Sequence, residues 1–203
     1  MIMRPIILAS ASPRRAELLR QIGVVFESRP ADIDETPIDG EQPGDYVVRL
    51  AREKAEVVGR LVPEGIVIGS DTSVVSGGRI LGKPASPAAA AETLQLLSAR
   101  THQVLTGVAV VVDGYAESRL VVTDVTFRNL RPDEISAYVR TGEPMDKAGS
   151  YGIQGLGGIF VESFQGSYSS VVGLPLRETA DLLAQAGYPV WTTWQAGQES
   201  LNE

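Results

Sequence analysis

Two hydroxyls and two guanidinium groups crowd one short segment, Ile6-Ile7-Leu8-Ala9-Ser10-Ala11-Ser12-Pro13-Arg14-Arg15-Ala16-Glu17-Leu18-Leu19. Ile6 to Leu8 read as a buried strand, Ser12 as a helix N-cap and Pro13 as the first helical residue. The first turn of a helix favours acidic side chains, because free amides and the positive end of the dipole lie there. Arg14 and Arg15 in that turn therefore weaken the helix. The choice makes sense if a phosphate occupies the space in front, held by amides, Ser10, Ser12 and the guanidinium forks. On this reading, replacing Arg15 costs function and leaves the ligand-free protein about as stable as before. The bland alternative is that both arginines point into solvent.

Asp71 follows the apolar run Ile66-Val67-Ile68 and a flexible-looking Gly69-Ser70, which places a carboxylate at the carboxyl end of a buried strand. Ligands bind there in open α/β sheets; a turn aspartate capping its own backbone fits the same residues. Asp32, Asp34 and Glu35 form an acidic loop ahead of Pro37. They read either as solvated loop charges or as partners of Asp71 in an oxygen-ligand site for Mg²⁺ or Mn²⁺, with Glu35 the stronger candidate and Asp34 the weaker. Lys54 shares a helical stripe with Val47, Ala51, Val58 and Leu61. It either snorkels outward or offers its ammonium to a phosphate.

Lys83 lies in the stiff loop Gly82-Lys83-Pro84. Gly149, Gly152, Gly155, Gly157 and Gly158 punctuate a segment that also holds Ser150, Tyr151 and Gln154. It reads as a flexible loop, or as backbone that approaches a ligand closely and presents Gln154 to it. A glutamine amide carries one donor and one acceptor side by side, the complement of the imide edge of uracil or thymine. His102 is the only histidine. With no G-x-S-x-G elbow and no P-loop in the chain, a histidine-dependent nucleophile has little support. Tyr151, Trp191 and Trp194 read as packing residues in preference to base-stacking platforms.

The segment from Leu8 to Arg15 resembles the opening signature of the Maf nucleoside triphosphate pyrophosphatases. Four more segments agree: Asp32-Ile33-Asp34-Glu35; Arg49-Leu50-Ala51-Arg52-Glu53-Lys54-Ala55; Gly69-Ser70-Asp71-Thr72 with Gly82-Lys83-Pro84; and Lys147-Ala148-Gly149-Ser150-Tyr151-Gly152-Ile153-Gln154-Gly155. The resemblance implies a pyrophosphatase with Asp71 as proton acceptor and Lys54 and Lys83 on the phosphates. Ser10, Arg14, Arg15, Thr72 and Gln154 would bind substrate, and Glu35 with Asp71 a divalent cation. Arg14, Thr72 and Gln154 match the pattern of Maf enzymes specific for dTTP and UTP. Relatives acting on 7-methyl-GTP carry other residue types at these three positions. The resemblance further implies a homodimer and a housecleaning role against modified pyrimidine nucleotides. A different class, a nucleotide-binding regulator of septum formation without turnover, is the alternative.

The elements that must hold these residues alternate between strand and helix, which makes the fold α/β. Helices are predicted over 13–22, 44–61, 87–97, 132–141 and 176–186, with Gly142 and Gly187 as C-caps. Strands are predicted over 6–9, 66–69, 102–112, 120–130 and 159–164. Asp113-Gly114 is a hairpin turn, so part of the sheet is antiparallel and the whole is mixed. The resemblance adds a twisted sheet flanked by helices, in two lobes with a central cleft, the Maf/ITPase-like arrangement. A chain of 203 residues fits a single such domain with a frayed tail over 196–203. A net charge of -7 and a pI near 4.9 exclude nonspecific nucleic-acid and membrane-surface binding, so a polyanion must be bound locally. With no cysteine, thiolate chemistry and disulfides are excluded. No apolar run matches a secretory leader or a membrane span, and the expected address is the cytoplasm.

Overall fold

The computed structural model describes residues 4–194; the tail assigned from sequence to 196–203 lies outside the described residues. Strand β1 (Ile6–Leu8) leads into helix α1 (Pro13–Gln21), the short β2 (Glu27–Ser28) and helix α2 (Pro43–Gly59). Next come β3 (Ile66–Ser76), β4 (Arg79–Leu81), α3 (Pro87–Leu97), β5 (Thr101–Val112) and β6 (Tyr115–Phe127). Helix α4 (Pro132–Arg140), β7 (Val161–Gln165), α5 (Tyr168–Val172) and α6 (Leu176–Gln185) complete the order. The sheet runs β2-β1-β3-β5-β6-β7, with β4 paired to β3. It is mixed, as the sequence suggested: β1 is parallel to β2 and β3, while β4 and β7 run antiparallel to β3 and β6.

The residues divide into two compact units, one of Met1–Asp71, Gly107–Leu120 and Gly173–Glu203, the other of Thr72–Thr106 and Val121–Val172. The first has its own core, in which Ile7, Ala51, Ala55, Val58, Val67 and Ala109 pack together. The second is built on Val74, Leu94, Leu97, Val125, Phe127, Tyr138 and Phe160. No helix of the described residues is long and apolar enough to cross a membrane.

Local chemistry explains the elements. Pro13, Pro87 and Pro132 each open a helix, and the N-cap hydroxyls of Ser12 and Ser86 accept from Arg15 N and Ala89 N. Gly142 and Gly187 adopt φ of +77° and +87° after their helices, the left-handed conformation expected of C-caps. Asp113 and Gly114 both have positive φ, which joins β5 to β6 through a two-residue hairpin turn.

Strand β3 departs from the sequence reading. Gly69 and Ser70 are neither flexible nor a strand end: β3 continues through them to Ser76, and Asp71 lies mid-strand. The glycine is required by packing. A Cβ on Gly69 would overlap Ala51 O and stand 2.8 Å from Ala55 N, so the backbone of α2 lies directly on this residue. Gly107 repeats the device on β5, where a Cβ would overlap Val47 O and come within 2.9 Å of Val48 Cα. Other boundaries also shift. The strand predicted over 120–130 starts earlier and ends at Phe127, and the one predicted from Ile159 begins at Val161 because Leu156–Phe160 forms a 3₁₀ turn. Leu61, placed on the apolar stripe of α2, falls beyond the helix end and is exposed.

Candidate active site

Helix α2 buries Val47, Leu50, Ala51, Lys54, Ala55 and Val58, so Lys54 is the one charged residue on the face pressed to the sheet. Seated by Gly69, this face brings Lys54 to the neighbouring strand position. Its Nζ lies 2.8 Å from Asp71 Oδ1 and 2.6 Å from Glu35 Oε1. Lys54 and Asp71 are each 8% exposed, whereas the Glu35 side chain is 56% exposed. The lysine does not snorkel. It is held between two carboxylates, one buried and one open to solvent.

The loop carrying Glu35 is tied to the same helix. Tyr46 Oη donates to Glu35 O at 2.9 Å, and Arg49 forks onto Glu41 at 2.6 and 2.8 Å while also donating to Thr36 O. The bonds to Glu41, with those to Glu53, raise the Arg49 pKa despite the opposing effect of burial. Asp34 is occupied locally: its Oδ1 accepts from Thr36 N at 2.9 Å, and the bonds to Thr36 lower its pKa. The two candidates thus separate, Asp34 capping its own turn and Glu35 facing Lys54. Asp32 is exposed.

Arg15 turns inward. Its Nε donates to Gly173 O at 2.9 Å and Nη1 to Ser10 Oγ at 3.2 Å, and Ser10 Oγ also accepts from Ser12 N. Ser70, fully buried, directs its hydroxyl at both Gly173 O and Gly107 O. Burial lowers the Arg15 pKa, opposed by the nearby Asp71 and Glu35 carboxylates and reinforced by Arg14. Arg15 therefore belongs to the same electrostatic cluster as Lys54. A guanidinium has five N–H donors; among the described residues two are used internally, which leaves three for an anion. The bond to Gly173 O also ties α1 to a distant segment, a structural role for Arg15 that its place at the helix start does not announce. Arg14 is half-buried beside it.

In the first unit the structure therefore gathers Ser10, Arg15, Glu35, Lys54 and Asp71. The remaining candidates, Thr72, Lys83 and Gln154, belong to the second. Thr72 Oγ1 lies 3.0 Å from Thr106 Oγ1, which donates to Ser170 O at 2.8 Å. With the Thr106 proton so committed, Thr72 must donate to Thr106, and only its lone pairs stay available to a ligand. Lys83 is exposed after β4, its loop fixed by Gly149 N donating to Gly82 O at 3.3 Å. Gln154 is exposed at the tip of a turn closed by Gly155 N donating to Gly152 O. The glycine segment is an ordered fold and not a flexible loop. A Cβ on Gly155 would meet the Glu143 carboxylate at 2.5 Å, and one on Gly157 the Tyr138 hydroxyl at 2.7 Å.

His102 is removed from chemistry by burial, which lowers its pKa to about 4. Its Nε2 pairs with Tyr151 Oη at 2.9 Å, and the ring packs edge-on against Phe127 and Tyr151. Tyr151 is buried packing, as expected. Trp191 and Trp194 are half exposed, and Trp194 Nε1 donates to Ile22 O. The groove along α2 lined by Asp45, Arg49, Arg52, Glu53 and Glu56 lies apart from this chemistry, its arginines already matched to carboxylates. The sequence reading missed Tyr46, Ser70 and Gly173. Arg49 carried a signal in its i,i+4 pairing with Glu53, four residues along α2.

These features define an α/β protein whose first unit holds a lysine between two carboxylates, next to an arginine with donors to spare for an anion. The chain belongs to the Maf family: residues 5–186 match the family described as Maf-like protein. It is 55% identical over 188 residues to the dTTP/UTP pyrophosphatase of Colwellia psychrerythraea, a match covering 90% of this chain and 89% of the relative. It is 51% identical over 194 residues to the enzyme of the same name from Moorella thermoacetica, covering 93% and 98%. A solved structure of a HAM1 protein from Coxiella burnetii is similar at 20% identity and a TM-score of 0.43, over 62% of this chain and 73% of the other.

Proposed function

We propose that this protein hydrolyses dTTP and UTP to the nucleoside monophosphate and pyrophosphate. Water attacks the α-phosphorus; a new P–O bond forms as the bond to the α,β-bridging oxygen breaks, and pyrophosphate leaves. Asp71 accepts the proton of the attacking water at the oxygen that Lys54 does not engage. Lys54, Lys83, Arg14 and Arg15 neutralise charge that builds on the phosphoryl oxygens, and Ser10 orients Arg15 for that task. Gln154 reads the imide edge of the base, and Thr72 offers it an acceptor.

Glu35 and Asp71 would hold a Mg²⁺ or Mn²⁺ ion. Among the described residues no third carboxylate or histidine joins them, and this sparse oxygen set suits a hard cation that takes its other ligands from water and phosphate. Bound there, the cation would supply charge neutralisation and orientation of the triphosphate.

The reaction class rests on one observation above all, the convergence of Glu35 and Asp71 on Lys54. The substrate rests on the names of relatives 50 to 55% identical to this chain. The test is a panel of nucleoside triphosphates, including 5-methylated pyrimidines, with products identified by phosphorus NMR with and without Mg²⁺ or Mn²⁺. UMP plus pyrophosphate is the expected outcome; orthophosphate would refute the bond assignment, and tight binding without product would favour the regulator. Light scattering and cell fractionation test the homodimer and the cytoplasmic address, both proposals here.

A further inference from the structure

We infer that Glu143 and Tyr138 are positioning residues for base selection: they clamp both shoulders of the turn that presents Gln154, so that base size is read by where that turn stands. The inference rests on the reading of Gln154 as the residue that meets the base. On the near shoulder, Gly152 N donates to Tyr138 Oη at 3.2 Å. On the far shoulder, Leu156 N and Gly157 N donate to the two Glu143 oxygens at 2.9 and 3.2 Å. The shoulders are joined because Tyr138 Oη donates to Glu143 Oε1 at 2.8 Å.

Each partner is itself held. Tyr138 is 4% exposed, with its ring edge-on to Phe160 at 4.9 Å. The backbone carbonyl of Glu143 accepts from Lys147 Nζ at 2.6 Å. Burial raises the Glu143 pKa, but the amides of Leu156 and Gly157, the Tyr138 hydroxyl and Lys147 outweigh it and hold the group below the usual carboxylate value. Burial and the bond to Glu143 push Tyr138 upward. The phenol thus stays protonated beside an ionised carboxylate, which fixes the direction of every bond in the clamp. Gly155 and Gly157 are the clearance for it, since a Cβ at either would strike the carboxylate or the phenol.

The clamp matters because a glutamine amide alone cannot separate uracil from guanine. Both present a carbonyl beside an N–H, O4 with N3–H in uracil and O6 with N1–H in guanine, and one amide can pair with either. What differs is reach, since the purine edge stands one ring further from the sugar. An amide on a fixed backbone selects by that distance, and one on a loosened backbone accepts both.

The experiment measures kcat and KM for UTP and GTP, with thermal unfolding, on the full-length wild type and on Glu143→Gln, Tyr138→Phe and Gln154→Ala. Glu143→Gln keeps size but sets an amide NH₂ against a backbone N–H; Tyr138→Phe keeps the ring on Phe160 and removes the relay. Each should raise KM for UTP about tenfold, the scale of one lost hydrogen bond, with a smaller change in kcat and a lower UTP-to-GTP ratio of kcat/KM. A lower melting temperature with that ratio at its wild-type value would overturn the inference and leave the clamp merely structural. Gln154→Ala separates the two layers. If it erases the ratio while the clamp variants preserve it, positioning fails; if it also preserves the ratio, the base-reading role of Gln154 fails.

Discussion

Gly69→Ala adds one methyl group at the point where β3 meets α2. That methyl would overlap Ala51 O, lie 2.8 Å from Ala55 N and 3.0 Å from Ala55 Cβ, and two of these three atoms are helix backbone. No side chain can swing away, so the helix must retreat by more than about 1 Å to restore ordinary contact distances near 3.5 Å. Overpacking of this kind costs about 1–3 kcal/mol, and a rigid obstacle argues for the upper end. Alanine recovers about 0.5–1 kcal/mol of the entropy cost of a strand glycine. The net is roughly 2 kcal/mol, or about 4–8 °C of melting temperature for a chain of this size. Activity should fall further than stability, because α2 carries Lys54 and a displacement of about 1 Å at a catalytic group can cost 10²-fold. Gly59→Ala is the matched control: its methyl meets side chains alone, Val111 Cγ1 at 3.1 Å, which can give way, and Val67 Cγ2 in ordinary contact at 3.9 Å. Differential scanning calorimetry with steady-state UTP hydrolysis on both variants is the assay. A Gly69→Ala protein that melts within about 1 °C of wild type with kcat intact would refute a packing role for the glycine.

Asp71→Asn should fold normally and lose about 10²–10⁴-fold in kcat, measured by pyrophosphate release; activity within a few-fold of wild type would remove Asp71 as the proton acceptor. Arg15→Ala should lower both melting temperature and turnover, since it breaks the bonds to Gly173 O and Ser10 Oγ, roughly 1–3 kcal/mol in all. An unchanged melting temperature would restore the reading of Arg15 as purely a phosphate ligand. His102 titrates near 6.5 when unfolded but at about 4 when folded, so the unfolded chain binds the extra proton and stability falls as pH drops from about 6.5 to 4. The loss is about 3 kcal/mol when complete. Urea unfolding of wild type and His102→Gln at several pH values checks it, and equal slopes would exclude His102 as the cause.

The sequence made legible whatever is announced by local chemistry. Proline at a helix start, glycine after a helix end and Asp113-Gly114 between strands each restrict the backbone on their own, and each is where it was expected. Lys54 was visible as an odd charge on an apolar stripe. Tertiary contact supplied the rest. Gly69 looks like a hinge in sequence because its reason, the backbone of α2, lies elsewhere in the chain. The bond from Arg15 Nε to Gly173 O spans 158 residues and leaves no local pattern. Strand β4 also has a local signal, the Gly77-Gly78 pair with positive φ at both residues, which turns β3 back on itself. The burial of His102 in an aromatic cluster could not be read from its neighbours Thr101 and Gln103.

The two glycine notches lie under Val47 and Ala51, one helical turn apart on α2, but they come from strands far apart in the chain. This separation sets an order of events during synthesis. When the ribosome has completed α2, the notch at Gly107 is still about fifty residues from being made, an interval of several seconds at ordinary elongation rates. The helix has no seat until Gly69 is made and half of one from then until Gly107, so Leu50, Ala55 and Val58 lack a complete partner surface over that stretch. The expected consequence is a nascent stage in which the apolar face of α2 is incompletely covered, with the helix, and Lys54 on it, settling into place as β5 completes the seat. A pulse-chase of truncated chains ending before and after Gly107 would mark that step as a change in protease resistance.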